Sequence, residues 1–129
     1  MEYDIGELAQ ETASKMDLTT PQAKMALELS LENVLIFDKK QQDYGSGNIS
    51  NNPMPEFGVA IRANDKIQRI MHLLSKKGTP INEAREDSWM DLANYALIGY
   101  LVAKGLWSAA DQYRSSVIPL ALICRLRAP

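Results

Sequence analysis

The chain has one cysteine, Cys124, so no disulfide within the chain and no cysteine-based metal cluster can form. A lone thiol suits a reducing compartment. There is also no apolar run of about 18 residues, the length needed to cross a bilayer. The longest apolar stretch, Val117 to Cys124, is interrupted by Pro119. The opening MEYDIGELAQETASK is acidic and polar, unlike a secretory leader. A soluble, cytoplasmic protein is therefore expected, with no membrane partner. Net charge is also scarce, at −2, and gives no basic surface for gripping a nucleic-acid backbone. No segment shows the alternating β-branched pattern of a sheet strand. Gly45-Ser46-Gly47 leads into loop residues and not into a helix, so it lacks the setting of a phosphate-binding glycine loop.

What remains is helical. The 129 residues fit one domain, and the chain is 46% hydrophobic and 23% charged, ordinary for a folded globular protein. Charge is uneven. Residues 1–42 carry eight acids and four bases, while 105–129 carry one acid and three bases. The two ends could therefore meet within a chain or between chains, and a homo-oligomer is expected. A short helix is predicted over about 4–15. Thr20 then offers an N-cap and Pro21 a first helical residue, opening a long helix to about 42 with Met25, Leu29 and Ile36 on its apolar side.

Residues 43–56 hold two glycines, two serines, two prolines and four Asn or Asp, and read as a long loop. Loops of this length in small domains are more often functional than idle. A third main helix is predicted from about Phe57 to Lys76, with Val59, Ala63, Ile67, Ile70, Met71 and Leu74 as its apolar ridge. Lys76-Lys77-Gly78-Thr79-Pro80 closes it. The next helix runs from about Pro80 to Lys104 and ends at Gly105. Ser108 to Asp111 resembles a capping box, with a short last helix stopping near Pro119. The expected fold is an all-α, compact bundle of four to five helices.

The candidate chemistry lies on two of these helices. Glu83, Asp87, Asp91 and Asn94 fall at steps of four, four and three, which puts them on one helical stripe. Like charges so placed repel, so something should offset them. Extending the stripe reaches Ile98 and Leu101, so it runs toward a buried side, while Trp89, Leu92 and Ala96 lie opposite. Carboxylates turned inward need cations or strong donors. Magnesium, which prefers carboxylates, water and phosphate, would suit Glu83, Asp87 and Asp91. Dipole complementation at the helix N-terminus explains Glu83 but not the deeper Asp91.

On the preceding helix Arg62, Asp65, Lys66 and Arg69 form a second stripe, able to hold a phosphate or to stand as a solvated, ion-paired face. Glu28 and Glu32 could add carboxylates or lie on the surface. His72 reads as a packing or surface group and Cys124 as a small buried residue.

Taken together, Lys39-Lys40-Gln41-Gln42-Asp43-Tyr44-Gly45, Glu56-Phe57-Gly58, Ile61-Arg62-Ala-Asn-Asp65-Lys66-Ile-Gln-Arg69, Glu83 and Asp87-Ser-Trp-Met-Asp91-Leu-Ala-Asn94-Tyr95-Ala96 resemble the family called nucleotide modification associated domain 1, over about residues 31–104. Members look like phage and bacterial helical proteins, which would place a phage-encoded chain in its bacterial host's cytoplasm. The acid-rich helices are also similar to the MazG-like all-α nucleotide pyrophosphohydrolases, although the E-E-x-x-E signature of that group is represented only by Glu28 and Glu32.

The resemblance implies a nucleotide or cyclic-nucleotide ligand. Arg62, Lys66 and Arg69 would hold its phosphates, Tyr44 or Phe57 would stack its base, Asp65 and Asn94 complete the expected ligand-binding set, and the acids would pair with arginines or with ribose hydroxyls. Three functions compete: magnesium-assisted phosphoanhydride hydrolysis, non-catalytic sequestration such as an anti-defence role, and a structural partnership with a nucleotide-modifying enzyme. Residues 1–20 and 105–129 are accessory to the resemblance and are candidates for oligomer contacts.

Overall fold

The computed structural model describes residues 4–76 and 84–107, and over these the chain is an all-α bundle of five helices. They are α1 (Ile5–Lys15), α2 (Pro21–Tyr44), α3 (Gly47–Ser50), α4 (Pro55–Ser75) and α5 (Arg85–Ala103). The boundaries follow cap chemistry. Asp4 accepts a hydrogen bond from the Glu7 amide at 3.1 Å and opens α1. The helix closes where Asp17 turns left-handed, at φ 54°, so that Leu18 N–H reaches Ala13 O at 3.0 Å. Thr20 caps α2 through Ala23 N–H at 3.2 Å, with Pro21 at the first position, as the sequence suggests.

Gly105, at φ 70°, ends α5 in the same way as α1, with Leu106 N–H bonded to Leu101 O at 2.8 Å. The expected stop at Gly78, the capping box at Ser108 to Asp111, the last helix and Cys124 lie outside the described residues.

The 43–56 segment differs from the expected loop. One helical turn, α3, forms within it and drives Ile49 into the core, where it is among the most buried residues. Burial of a single isoleucine stabilises a turn whose local sequence does not favour one. The following helix also starts two residues earlier than expected, because Pro55 supplies the pre-set φ of a first helical residue. Asn52 Oδ1 accepts from Met54 N–H at 2.9 Å just before it.

α4 and α5 pack antiparallel along most of their length. Val59 lies against Gly99 near one end of the pair, and Lys66 bonds Asp91 toward the other. One end is apolar: Ile49, Val59, Ile98 and Trp107 form the core, with Phe37, Tyr95, Leu101 and Val102 packed against them. Trp107 Nε1–H donates to Ser46 O at 3.2 Å and ties the end of α5 to α3. α1 packs against the first half of α2, through Ala9 and Ala13 on its own side, and the second half of α2 reaches α5.

The apolar faces are only partly covered. Met25 and Leu29 on α2 are exposed, contrary to the expected apolar side, because small alanines of α1 are what packs there. On α4, Val59 and Ile70 are buried and Ala63 is half-buried. Ile67, Met71 and Leu74 of the expected ridge are exposed, since they lie off the side that α5 covers. Trp89 is likewise exposed.

Candidate functional site: a basic cleft over a buried asparagine

The stripe on α5 runs from solvent into the bundle. Asp87 is exposed, Asp91 is largely covered, and Asn94 is buried at 6% exposure. Glu83 lies outside the described residues. What offsets the negative charge is lysine. Lys66 Nζ reaches Asp91 Oδ2 at 2.8 Å from α4, and Lys40 Nζ reaches Oδ1 at 3.0 Å from α2. Burial alone would push the Asp91 carboxyl up. The hydrogen bonds from Lys66 and Lys40, and then their charges, outweigh it and hold the group below its ordinary value. Asp91 is thus a fixed anion that pins α2 and α4 to α5.

Next to this pair of bonds is a cleft of about 560 Å³ at the meeting of α2, α3, α4 and α5. Phe37, Lys40, Gln41 and Tyr44 line it from α2, and Asn48 and Ile49 from α3. Arg62 enters from α4, and Asp91, Asn94, Tyr95 and Ile98 from α5. The volume is that of a small-molecule site. Lys40, Arg62 and Lys66 stand around the single carboxylate of Asp91, so the local balance favours an anion. Arg62 makes no ion pair or hydrogen bond among the described residues. Both amide atoms of Asn94 are buried without a hydrogen-bond partner. Buried polar groups are nearly always satisfied in folded proteins, so an orphaned amide at a cleft needs an explanation.

The site residues expected from sequence separate into two sets. Arg62, Lys66, Asp91, Asn94 and Tyr44 come together at or beside the cleft, with Tyr44, 68% exposed, at its mouth. The others do not join them. Phe57 is 60% exposed and belongs to a separate apolar patch with Met54, Pro55 and Val102, because it falls on another side of α4. Asp65 and Asp87 are solvent-exposed. Arg69 is half-buried and already has an interaction of its own. The α4–α5 register set by Val59–Gly99 and Lys66–Asp91 places it opposite Ser88, a fully buried residue. Glu28 lines a different groove, between α1 and α2, and Glu32 is exposed, so neither extends the α5 acids.

Among the described residues no three His, Cys, Asp or Glu side chains are grouped to hold a metal ion. Both Asp91 oxygens already accept from ammonium groups, and Glu83, another member of the expected magnesium set, lies outside the described residues. Lys40 and Gln41, which the sequence offers only in the run leading to Asp43-Tyr44-Gly45, and Asn48 were not among the expected site residues. The recurrence of Phe37, Lys40 or Gln41, and Tyr44 at helical spacing was the available signal for the first two. Asn48 had none, since α3 was not expected.

The protein is all-α, with a cleft between its helices that is lined by more basic than acidic side chains. Compared with protein-family models, with curated proteins and with solved structures, the chain matches none. No helix among the described residues is long and apolar enough to cross a membrane.

Proposed function

We propose that the chain binds a phosphorylated nucleotide in the cleft between α2, α3, α4 and α5. The observation that carries the reading is the convergence of Lys40 and the unengaged Arg62 over a buried, unpartnered asparagine in a cleft of nucleotide size. Arg62 supplies a forked guanidinium for a phosphate, and Lys40 a point charge. Tyr44, Tyr95 and Phe37 offer aromatic surface for a base. The order of motifs that resembles the nucleotide modification associated domain 1 family supports the same ligand class.

The engagement of Asp91 by two lysines favours binding without hydrolysis over metal-assisted phosphoanhydride cleavage. A magnesium ion at that carboxylate would compete with the two ammonium groups for its oxygens. Sequestration of a linear or cyclic nucleotide is therefore the preferred form of the reading, with hydrolysis as its rival. The exposed Ile67, Met71 and Leu74 on α4 support association with further copies of the chain.

The test is calorimetric titration of the full chain with linear and cyclic nucleotides, with and without magnesium, followed by recovery of the ligand. Saturable binding without magnesium, with the nucleotide recovered intact, is expected. A complete lack of binding across the panel would remove the nucleotide and leave a structural partnership as the better reading.

A further inference from the structure

We infer that Asn94 reads the ligand's nucleobase, so that the cleft distinguishes bases at its buried end and holds phosphates at its mouth; this rests on the nucleotide-binding reading. An asparagine amide is one donor beside one acceptor. Its natural complement is a planar edge carrying an acceptor beside a donor. Adenine presents such an edge at N7 and N6, and uracil or thymine at a ring N–H flanked by carbonyls. A phosphate, which only accepts at high ionisation, cannot satisfy both atoms.

The surroundings sort the same way. Asn94 sits with Phe37, Tyr95 and Ile98 at the cleft wall, where flat apolar surface is available for a ring. Two of the cations are far more exposed than Asn94, Arg62 on α4 and Lys40 on α2, while Lys66 is held by Asp91 one turn along α5. The free protein therefore holds an unsatisfied buried amide that a base edge would satisfy. Because those amide atoms lie beneath the surface, a lining side chain must turn aside to admit the base.

The experiment is calorimetric titration of the full chain with ATP, GTP, CTP, UTP and inorganic tripolyphosphate, repeated on Asn94→Ala and Arg62→Ala. Wild type should prefer one base over the others and over tripolyphosphate by about ten- to a hundredfold, the usual discrimination of a bidentate base contact. Asn94→Ala should flatten that preference while leaving tripolyphosphate affinity unchanged. Arg62→Ala should weaken all five probes alike.

Far-ultraviolet circular dichroism establishes that each variant is folded, and the wild-type preference is informative without any variant. Tripolyphosphate binding as tightly as every nucleotide would overturn the inference and leave the phosphate site standing. So would a base preference that survives in Asn94→Ala. Failure of all five probes to bind would overturn the nucleotide reading itself.

Discussion

Replacing Asn94 with leucine should make the free protein more stable and less able to bind. The two side chains branch at the same carbon, so the backbone of α5 is undisturbed, and the amide being removed has no partner. An unsatisfied buried amide costs about 1–3 kcal/mol in mutational comparisons. Asn94→Leu should recover an amount of that order, raising the melting temperature by roughly 3–10 °C for a chain of this length. Urea denaturation followed by circular dichroism measures it, and an unchanged m-value shows that the same surface is exposed on unfolding. Natural proteins give up stability of this kind at binding sites. A variant at least 1 kcal/mol less stable than wild type would refute the reasoning, because it would mean the amide already has a structural partner.

Asp91→Asn should lower stability at neutral pH by about 1–2 kcal/mol, since two charge-assisted bonds are weakened. The wild-type carboxyl is held below its ordinary value, so its contribution is fully present above the unfolded value of 3.8 and is lost as pH falls through the lower native value. The variant should lack that part of the acid slope in a pH series of denaturation curves. Ile49→Ala should cost about 2–4 kcal/mol, because it empties the core position that holds α3 in place, and it should weaken ligand binding through the displaced cleft wall. Arg69→Lys should leave nucleotide affinity within a factor of two while lowering thermal stability, whereas Arg62→Lys should weaken binding about tenfold or more, as calorimetry on the two variants reads directly.

The sequence carried the elements whose signals are local. Thr20-Pro21 and Gly105 mark helix ends by their own backbone chemistry, and both act as expected. α3 was hidden because its turn is held by burial of Ile49 in a core assembled from distant residues. The exposure of Met25 and Met71 was hidden for a related reason. Periodicity names an apolar face, but it does not say whether a neighbour covers it.

The site was half legible. Helical spacing grouped Arg62 with Lys66 and Asp91 with Asn94, and the antiparallel pairing of α4 and α5 then brought those stripes together. Lys40 is 51 residues from Asp91, and no spacing rule reaches that far. Phe57 was misplaced relative to Tyr44 because two aromatics on different helices have no shared register until the fold supplies one.

A ligand seated in the basic cleft over Asn94 has a direct readout. Amide and side-chain NMR shifts recorded during a nucleotide titration locate it without any mutation. Perturbations should concentrate at Phe37 to Tyr44, Asn48, Arg62 and Asp91 to Tyr95, with the Asn94 side-chain amide among the largest. Shifts confined to the Met54–Phe57 patch, or to the groove between α1 and α2, would contradict this placement.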